Sequence, residues 1–457
     1  MDLPAIINKI NKDRKTIKIT TMAKAKSMYI KRFPSGSLSV DAITGGGYAF
    51  RRMMMIYGQK SAGKNAHLYQ TMAYNQRICR HCGGVLPELV KQETSSHIIT
   101  GVDRWSNVLV NYMGFPVCGC ANSQGRIFLF MDYEKSLSIE KPRNKFIKHI
   151  VDKKTSLEID EVEYDMVMES INGLSVKENL TEEEKAYIKD KEKLIKGWTV
   201  TTQEVPMLDT ADYLQKCGVD PTKLLVADPA DAEEGINYLG EIIPTREVDV
   251  IIIDSLQSML PQYVKGRDAE DATMGVEAKV NGLMSKKVCA AYAAENIEDE
   301  AEAYKPALFL ISQVRSAIGG FSGGQPTFSG GHAIAHHISL ALEFKREMFL
   351  KEDGTEASFK EPFYGLKTRV RAEKNKLSAP GDFALYDYYF RDGAKCSVGE
   401  IDHIEEITTM AIDKNVIERA GSYYRVNGEQ FQGKNALVDY MRENPQFVGT
   451  IYSKLKG

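Results

Sequence analysis

Residues 58–65 read GQKSAGKN, and the fold turns on whether they form a phosphate-binding loop. The run before them, RMMMIY at 52–57, is short and apolar, as a buried strand would be. The run after them, AHLYQTMAYNQ at 66–76, has helical spacing, with Leu68, Tyr69 and Met72 on one side. Strand, glycine-rich loop and helix is the context such a loop requires. Successive backbone N–H groups would point inward, and the helix N-terminus would add about half a positive charge. Gly58, Gln59, Lys60, Ser61, Ala62 and Gly63 would then line the phosphates of ATP, with Lys64 reaching the β- and γ-phosphates. The usual residue after that lysine is Ser or Thr, whose hydroxyl binds Mg²⁺. Here Asn65 stands in its place.

Outward from the loop, apolar strand-like runs alternate with helical stretches: MMMIYG, RIFLFMD, KLLVADP, VDVIIIDS and ALFLISQ. The alternation predicts an α/β fold with a mostly parallel central sheet. Ligands bind such sheets beyond the carboxyl ends of the strands. RIFLFMDYE ends in Asp132 and Glu134, VDVIIIDS in Asp254, and LFLISQ in Gln313. Asp254 after four apolar residues suits the Mg²⁺ shell. Glu134 suits the base that deprotonates the attacking water, and Gln313 suits a group that senses the γ-phosphate. Residues 316–331, SAIGGFSGGQPTFSGG, are too rich in glycine for a regular element. They follow Gln313 at once, tying a phosphate sensor to a loop.

The chain has 457 residues, a net charge of −3, 43% apolar and 26% charged residues, which describes an ordinary globular protein of two or three domains. No apolar run approaches the ~18 residues of a membrane span. With the overall charge slightly negative, nucleic-acid binding would need a local basic channel. The start, MDLPAIINKINKDRKTIKIT, reads as a basic amphipathic helix with Ile6, Ile7 and Ile10 on one face and not as an export signal. Seven cysteines in such a chain point to a reducing, cytoplasmic setting. Four of them cluster in CRHC (Cys79, Cys82) and CGC (Cys118, Cys120), beside glycines that permit tight turns. Two close pairs separated by a loop suit a structural zinc site. The C-x-C spacing leaves His81 open as a substitute ligand. Cys217, Cys289 and Cys396 are isolated and read as small core residues. A second interruption, 139–208, contains ENLTEEEKAYIKDKEKLIKGW, whose charge and spacing of Leu180, Tyr187 and Leu194 predict a helical hairpin.

In order, these motifs resemble the bacterial RecA recombinase family. PSGSLSVDAITGGGYAFRRMMMIYGQKSAGK (34–64) is similar to the family's lead into its phosphate loop, and YLQKCGVDPTKLLVADPADAEEGINYL followed by VDVIIIDSLQSMLP to the stretch reaching the second aspartate. TMGVEAK, LFLISQVRSAIGG, SGGHAI and TRVRAEKNKLSAP follow in family order, and residues 411–445 resemble its small C-terminal domain. The resemblance covers most of the chain outside the two inserts. It implies an N-terminal oligomerisation helix or arm (1–36), a RecA-like ATPase core (37–397) carrying a zinc-binding insert (77–124) and a helical insert (139–208), and a small α/β C-terminal domain (398–457).

Residue by residue, the resemblance places Lys64 on the phosphate lysine, Glu134 on the catalytic carboxylate, Gln313 on the allosteric glutamine and Tyr213 on the tyrosine that stacks adenine. Lys374 and Lys376, in EKNK, fall on lysines that reach a neighbour's ATP across a filament interface. Such lysines add positive charge only when subunits are assembled. Two DNA-binding loops correspond to QYVKGRDAEDATMG and to the glycine-rich stretch ending at Gly330 and Gly331. Met274 and Ile318 fall on side chains that wedge between base triplets, Lys279 and Arg315 on backbone-contacting positions. Contacts to phosphate imply binding that is mostly sequence-independent and salt-sensitive. The implied partners are single- and double-stranded DNA and further copies of the chain in a helical filament. The implied activity is DNA-dependent ATP hydrolysis driving homologous pairing and strand exchange.

The sequence also departs from the family. Asn65 replaces the hydroxyl, GGQPT replaces an Asn-Pro-Glu in the second loop, and Ala335 and His336 stand where Lys and Phe are usual. The long acidic tail of many members is absent from the sequence. These features suit a divergent, phage-carried member with altered switching. They also keep open a filament that binds ATP yet hydrolyses it weakly. A hexameric helicase on the same core is disfavoured by EKNK and the C-terminal stretch.

Overall fold

The computed structural model describes residues 3–12, 19–92, 99–137, 144–153, 158–159, 164, 167–168, 171, 180–206, 210–265, 275–313, 331–358 and 361–456. The chain divides into two compact units, one of residues 1–137 and 214–457, the other of residues 138–213.

The larger unit is organised by a nine-stranded sheet. Its strands are β1 (Met53–Gly58), β2 (Phe128–Asp132), β3 (Leu224–Ala227), β4 (Val250–Asp254), β5 (Ala307–Gln313), β6 (Leu340–Leu350), β7 (Gly365–Asn375), β8 (Phe383–Tyr389) and β9 (Glu400–Ile401). They lie in the order β3-β2-β4-β5-β1-β6-β7-β8-β9. The first six are parallel and the last three extend the sheet antiparallel. All five strands expected from the apolar runs are present. β1, β2 and β4 are buried along their whole length, which is why they read as unbroken apolar runs. β3 is partly exposed, as an edge strand should be.

Register decides where function can sit. Asp254 of β4 pairs with Asp132 of β2, Gln313 of β5 pairs with Gly58 of β1, and Phe344 of β6 pairs with Gly58 on its other side. The strand-end residues therefore share one edge of the sheet.

Helices cover both faces. On one, α2 (Ala232–Thr245), α3 (Val276–Ala291) and α4 (Gly331–His337) pack Leu239, Ile243, Met284, Val288 and Ile334 on Met53, Met55, Leu129, Met131, Ile251 and Leu308. Each such fully buried side chain contributes about 1.5–3 kcal/mol by leaving water. On the other lies α1 (Lys64–Asn75), with Leu68 and Met72 at 0% exposure. Its His67 is held between Tyr48 Oη (2.6 Å) and Tyr386 Oη (3.1 Å).

Residues 403–456 form α5 (His403–Asp413), a three-stranded antiparallel sheet (Glu418–Ala420, Tyr423–Val426, Glu429–Gln432), α6 (Lys434–Glu443) and α7 (Pro445–Lys456). Asp402 starts α5 by accepting from Glu405 N at 3.0 Å. One apolar cluster joins Ile404, Ile407, Leu437, Met441, Val448 and Ile451 to Trp105, Leu109 and Met113 of the cysteine-bearing insert. The insert is thus packed on the C-terminal helices. The N-terminal helix Leu3–Asn11 leaves Ile6 and Ile10 each 38% exposed.

The smaller unit corrects the helical reading of 139–208. It does contain a helix, Glu182–Lys196, started by a Thr181–Glu184 capping box, with three glutamates in the first turn and Lys193 and Lys196 in the last. Beside it is a sheet in which Asn144–Asp152 pairs antiparallel with both Glu158–Ile159 and Trp198–Pro206. The charge of Glu182–Lys196 is the stronger local signal in this stretch. The β-branched run WTVTTQEVP and the alternating NKFIKHIVD carry the strand signal.

Candidate nucleotide site and cysteine centre

The loop between β1 and α1 is shaped by backbone conformation before any side chain acts. Gly63 (φ +89°) and Ser61 (φ +57°) are left-handed, and alternation of this kind turns consecutive N–H groups inward. A Cβ on Gly58 would lie 2.1 Å from Phe344 O, so the tight packing of β6 dictates glycine there. Gly63 caps α1 without a side-chain hydrogen bond, which leaves the helix's first N–H groups for an anion. Lys64 is 8% exposed and donates to Gly58 O (2.9 Å) and Gln59 O (2.7 Å). Burial, partly offset by Asp254 and Glu134, lowers its pKa from the ordinary lysine value. Both neighbours favour retention of its charge for phosphate.

Beyond the loop, Asp254 Oδ2 accepts from Asn65 Nδ2 (3.2 Å) and from Ser136 Oγ (3.1 Å). Ser136 Oγ also lies 3.2 Å from Asp132 Oδ1, which takes Ser136 N at 2.9 Å, while Asp132 Oδ2 takes Leu137 N at 2.9 Å. Burial, followed by the charge of Glu134, pushes the Asp254 carboxyl up to about 6. Such a carboxylate is poised for a cation. Glu134 is exposed and its Oε1 lies 3.4 Å from Gln313 Nε2. Tyr133 N and Glu134 N both donate to Asp254 O, at 2.7 and 3.1 Å. Glu134, Gln313, Lys64 and Asp254 thus meet at one sheet edge, as the strand ends suggest. Asp132 and Ser136 complete it. Sequence reasoning named Asp132 only as a strand end and missed Ser136, whose signal is a hydroxyl two residues beyond Glu134.

Lys374 and Lys376, at the end of β7 and just beyond it, bond to the C-terminal carbonyls of α4: Lys374 Nζ to Ala335 O and Lys376 Nζ to His336 O, the latter at 2.7 Å. A helix C-terminus attracts cations. Lys279 lies exposed in the first turn of α3, and Gly331 opens α4. Tyr213 is on the helix Thr210–Lys216. Met274, Arg315, Ile318 and Gly330 lie outside the described residues.

The sulfurs of Cys79, Cys82, Cys118 and Cys120 lie within 4.8 Å of one another, Cys82 and Cys118 at 3.4 Å. Thiolates around a tetrahedral zinc stand about 3.8 Å apart, from Zn–S bonds of about 2.3 Å. Each pair is a tight turn: Gly84 N points at Cys82 Sγ (3.4 Å) and Cys120 N at Cys118 Sγ (3.3 Å), with Gly83 at φ +77°. His81 is not in the group. Cys82 and Cys118 push the Cys120 thiol up to about 12, so ionising all four requires a cation among them. The donor set and spacing fit zinc.

A parallel sheet with a phosphate-loop motif after its central strand and carboxylates at the ends of β2 and β4 is the arrangement of P-loop nucleotide-binding proteins. The family match is narrower. The RecA N-terminal domain matches residues 197–395 and the RecA C-terminal domain residues 405–457. Protein RecA of Malacoplasma penetrans is 29% identical over 267 residues, 58% of this chain and 73% of that protein. Protein RecA of Acinetobacter baylyi is 28% identical over 53% of this chain and 64% of that protein. For Protein RecA of Streptomyces ambofaciens the figures are 28%, 54% and 60%. The chain is a divergent member of the RecA family. The match to the RecA N-terminal domain begins after the phosphate loop and Glu134, so these residues stand on motif and geometry. Among the described residues no helix is long and apolar enough to cross a membrane.

Proposed function

We propose that this chain is an ATP-dependent recombinase that assembles on single-stranded DNA in a filament of its own copies and pairs it with homologous duplex in the bacterial cytoplasm. The observation that carries the reading is the shared sheet edge of Lys64, Asp254, Glu134 and Gln313, in a chain whose later residues match RecA. Loop residues 58–65 hold the phosphates, and Tyr213 stacks on adenine. Glu134 takes the proton of the attacking water. Gln313 reports the γ-phosphate to the glycine-rich loop. Mg²⁺, held from the Asp254 side, would supply charge neutralisation on the phosphates. Lys374 and Lys376 would leave the α4 carbonyls to reach a neighbour's nucleotide, so hydrolysis would depend on assembly. Met274 and Ile318 would wedge between bases, with Lys279, Arg315, Gly330 and Gly331 on the DNA backbone. Cys79, Cys82, Cys118 and Cys120 would hold a structural zinc that fixes the insert against the C-terminal helices.

One observation favours a second reading, a filament that binds ATP and hydrolyses it weakly: Asn65 gives Asp254 an N–H where a hydroxyl is usual. Phosphate release with Mg²⁺ and single-stranded DNA tests both. DNA-stimulated release supports the recombinase. Background release that Asn65→Thr raises supports the weak hydrolase. Background release in both proteins, with no nucleotide bound, contradicts both.

A further inference from the structure

We propose that Ser136 supplies the cation-binding hydroxyl that the phosphate loop lacks. The inference rests on the nucleotide-site reading and extends it to a residue that no motif assigns.

Three observations converge. First, the residue after Lys64 is Asn65, and its amide nitrogen, not its oxygen, is turned to Asp254, at 3.2 Å. While Nδ2 donates there, the side chain presents a donor to the carboxylate rather than an oxygen to a cation. Second, Ser136 Oγ reaches the same oxygen, Asp254 Oδ2, at 3.1 Å. A hydroxyl can give its proton to a carboxylate and still offer oxygen lone pairs to a metal. That is the chemistry a phosphate-loop Ser or Thr performs. Third, the position of Ser136 is built. Asp132 ends β2 and takes the backbone N–H groups of both Ser136 and Leu137, each at 2.9 Å, and β2 is held in register with β4 at Asp132–Asp254. The backbone that carries the hydroxyl is thereby fixed to the strand that carries the carboxylate.

Charge agrees with a small divalent cation. Asp132, Glu134 and Asp254 are gathered here, and the charges of Asp254 and Glu134 both reach Lys64 of the loop. Mg²⁺ takes oxygen ligands in near-octahedral geometry and usually keeps waters while using one or two protein groups and substrate phosphates. Ser136 Oγ and Asp254 are two such groups on one side, and the loop's phosphates would face them from the other. Asp132 is in this arrangement a positioning residue, and Ser136 the ligand.

The test compares Mn²⁺ binding, read by electron paramagnetic resonance with a non-hydrolysable ATP analogue, across the unmodified protein, Ser136→Ala, Asn65→Thr and the double variant. Nucleotide retention without divalent cation and circular dichroism report on folding and on the loop. The expected result is a loss of about tenfold or more in Mn²⁺ affinity for Ser136→Ala, the lower end of what perturbing a metal site costs. Ser136→Thr keeps the affinity near that of the unmodified chain. In the Asn65→Thr background, where a loop hydroxyl is restored, Ser136→Ala should cost less than about a third of that loss on a logarithmic scale, the non-additivity of groups sharing one partner. Unchanged affinity in Ser136→Ala, or an equal loss in both backgrounds, overturns the proposal. If the unmodified protein itself holds neither nucleotide nor Mn²⁺, the nucleotide-site reading fails first and this one with it, and that outcome is distinct because every variant then behaves alike.

Discussion

The nucleotide edge and the cysteine insert are both suited to a cation, and they satisfy themselves in opposite ways. At the nucleotide edge polar groups already have partners. Lys64 rests on two loop carbonyls, and Asn65 and Ser136 rest on Asp254. On the proposed reading these bonds would be exchanged for bonds to a nucleotide and its metal, so that the site would fill and empty. In the insert four thiols face one another, and a thiol is a poor hydrogen-bond partner. Oxygen at strand ends makes a reversible site, whereas sulfur at tight turns makes a structural one.

The contrast predicts its largest effect in the insert. Stripping zinc with a chelator, or Cys79→Ser, should unfold the insert and loosen the C-terminal helices, since Trp105, Leu109 and Met113 share their core. Structural zinc is worth about 10 kcal/mol or more in isolated fingers. Elemental analysis should find about one zinc per chain in the unmodified protein. A metal-free protein of equal stability breaks the comparison on this side.

Lys64→Ala comes next and should leave the fold intact. Losing charge-assisted bonds to phosphate, about 1.5–3 kcal/mol each, should weaken ATP binding by about 100-fold or more and abolish nucleotide-dependent filaments. Equilibrium dialysis and electron microscopy read the two effects. Filaments unchanged by the substitution would remove the nucleotide from assembly.

Asn65→Thr should raise DNA-stimulated hydrolysis by about tenfold, equivalent to about 1.4 kcal/mol of barrier. An unaltered rate would mean that the cation is already fully held without a loop hydroxyl.

The smallest effect is in pH. Asp254's folded pKa, about 6, is above the ordinary carboxylate value, so the metal-free fold gains stability as pH falls from about 6 toward about 4, where protonation removes a buried charge. Protons and cation compete for that carboxylate. The rise in melting temperature on adding Mg²⁺ and nucleotide should therefore be full at pH 7.5 and shrink as pH falls through about 6. A rise that is constant down to pH 5 would detach Asp254 from the cation.

The same contrast explains what was legible in the sequence. Strands buried on both faces read as apolar runs, and their terminal Asp132, Asp254 and Gln313 landed on one edge because parallel register allows little else. The cysteine cluster was legible because ligand spacing is local. Ser136 was not, because its importance comes from a hydrogen bond to β4, more than a hundred residues away in the chain. The sheet in residues 138–213 was obscured by the stronger charge signal of Glu182–Lys196. Packing of Trp105 on the C-terminal helices is likewise a long-range event with no local trace.

The most direct test of the central claim is the binding isotherm of a fluorescent single strand, titrated with protein in Mg²⁺ with and without a non-hydrolysable ATP analogue. The account predicts a steep, cooperative isotherm and filaments only with the analogue. A shallow isotherm that is the same in both, with the protein monomeric throughout, would contradict it.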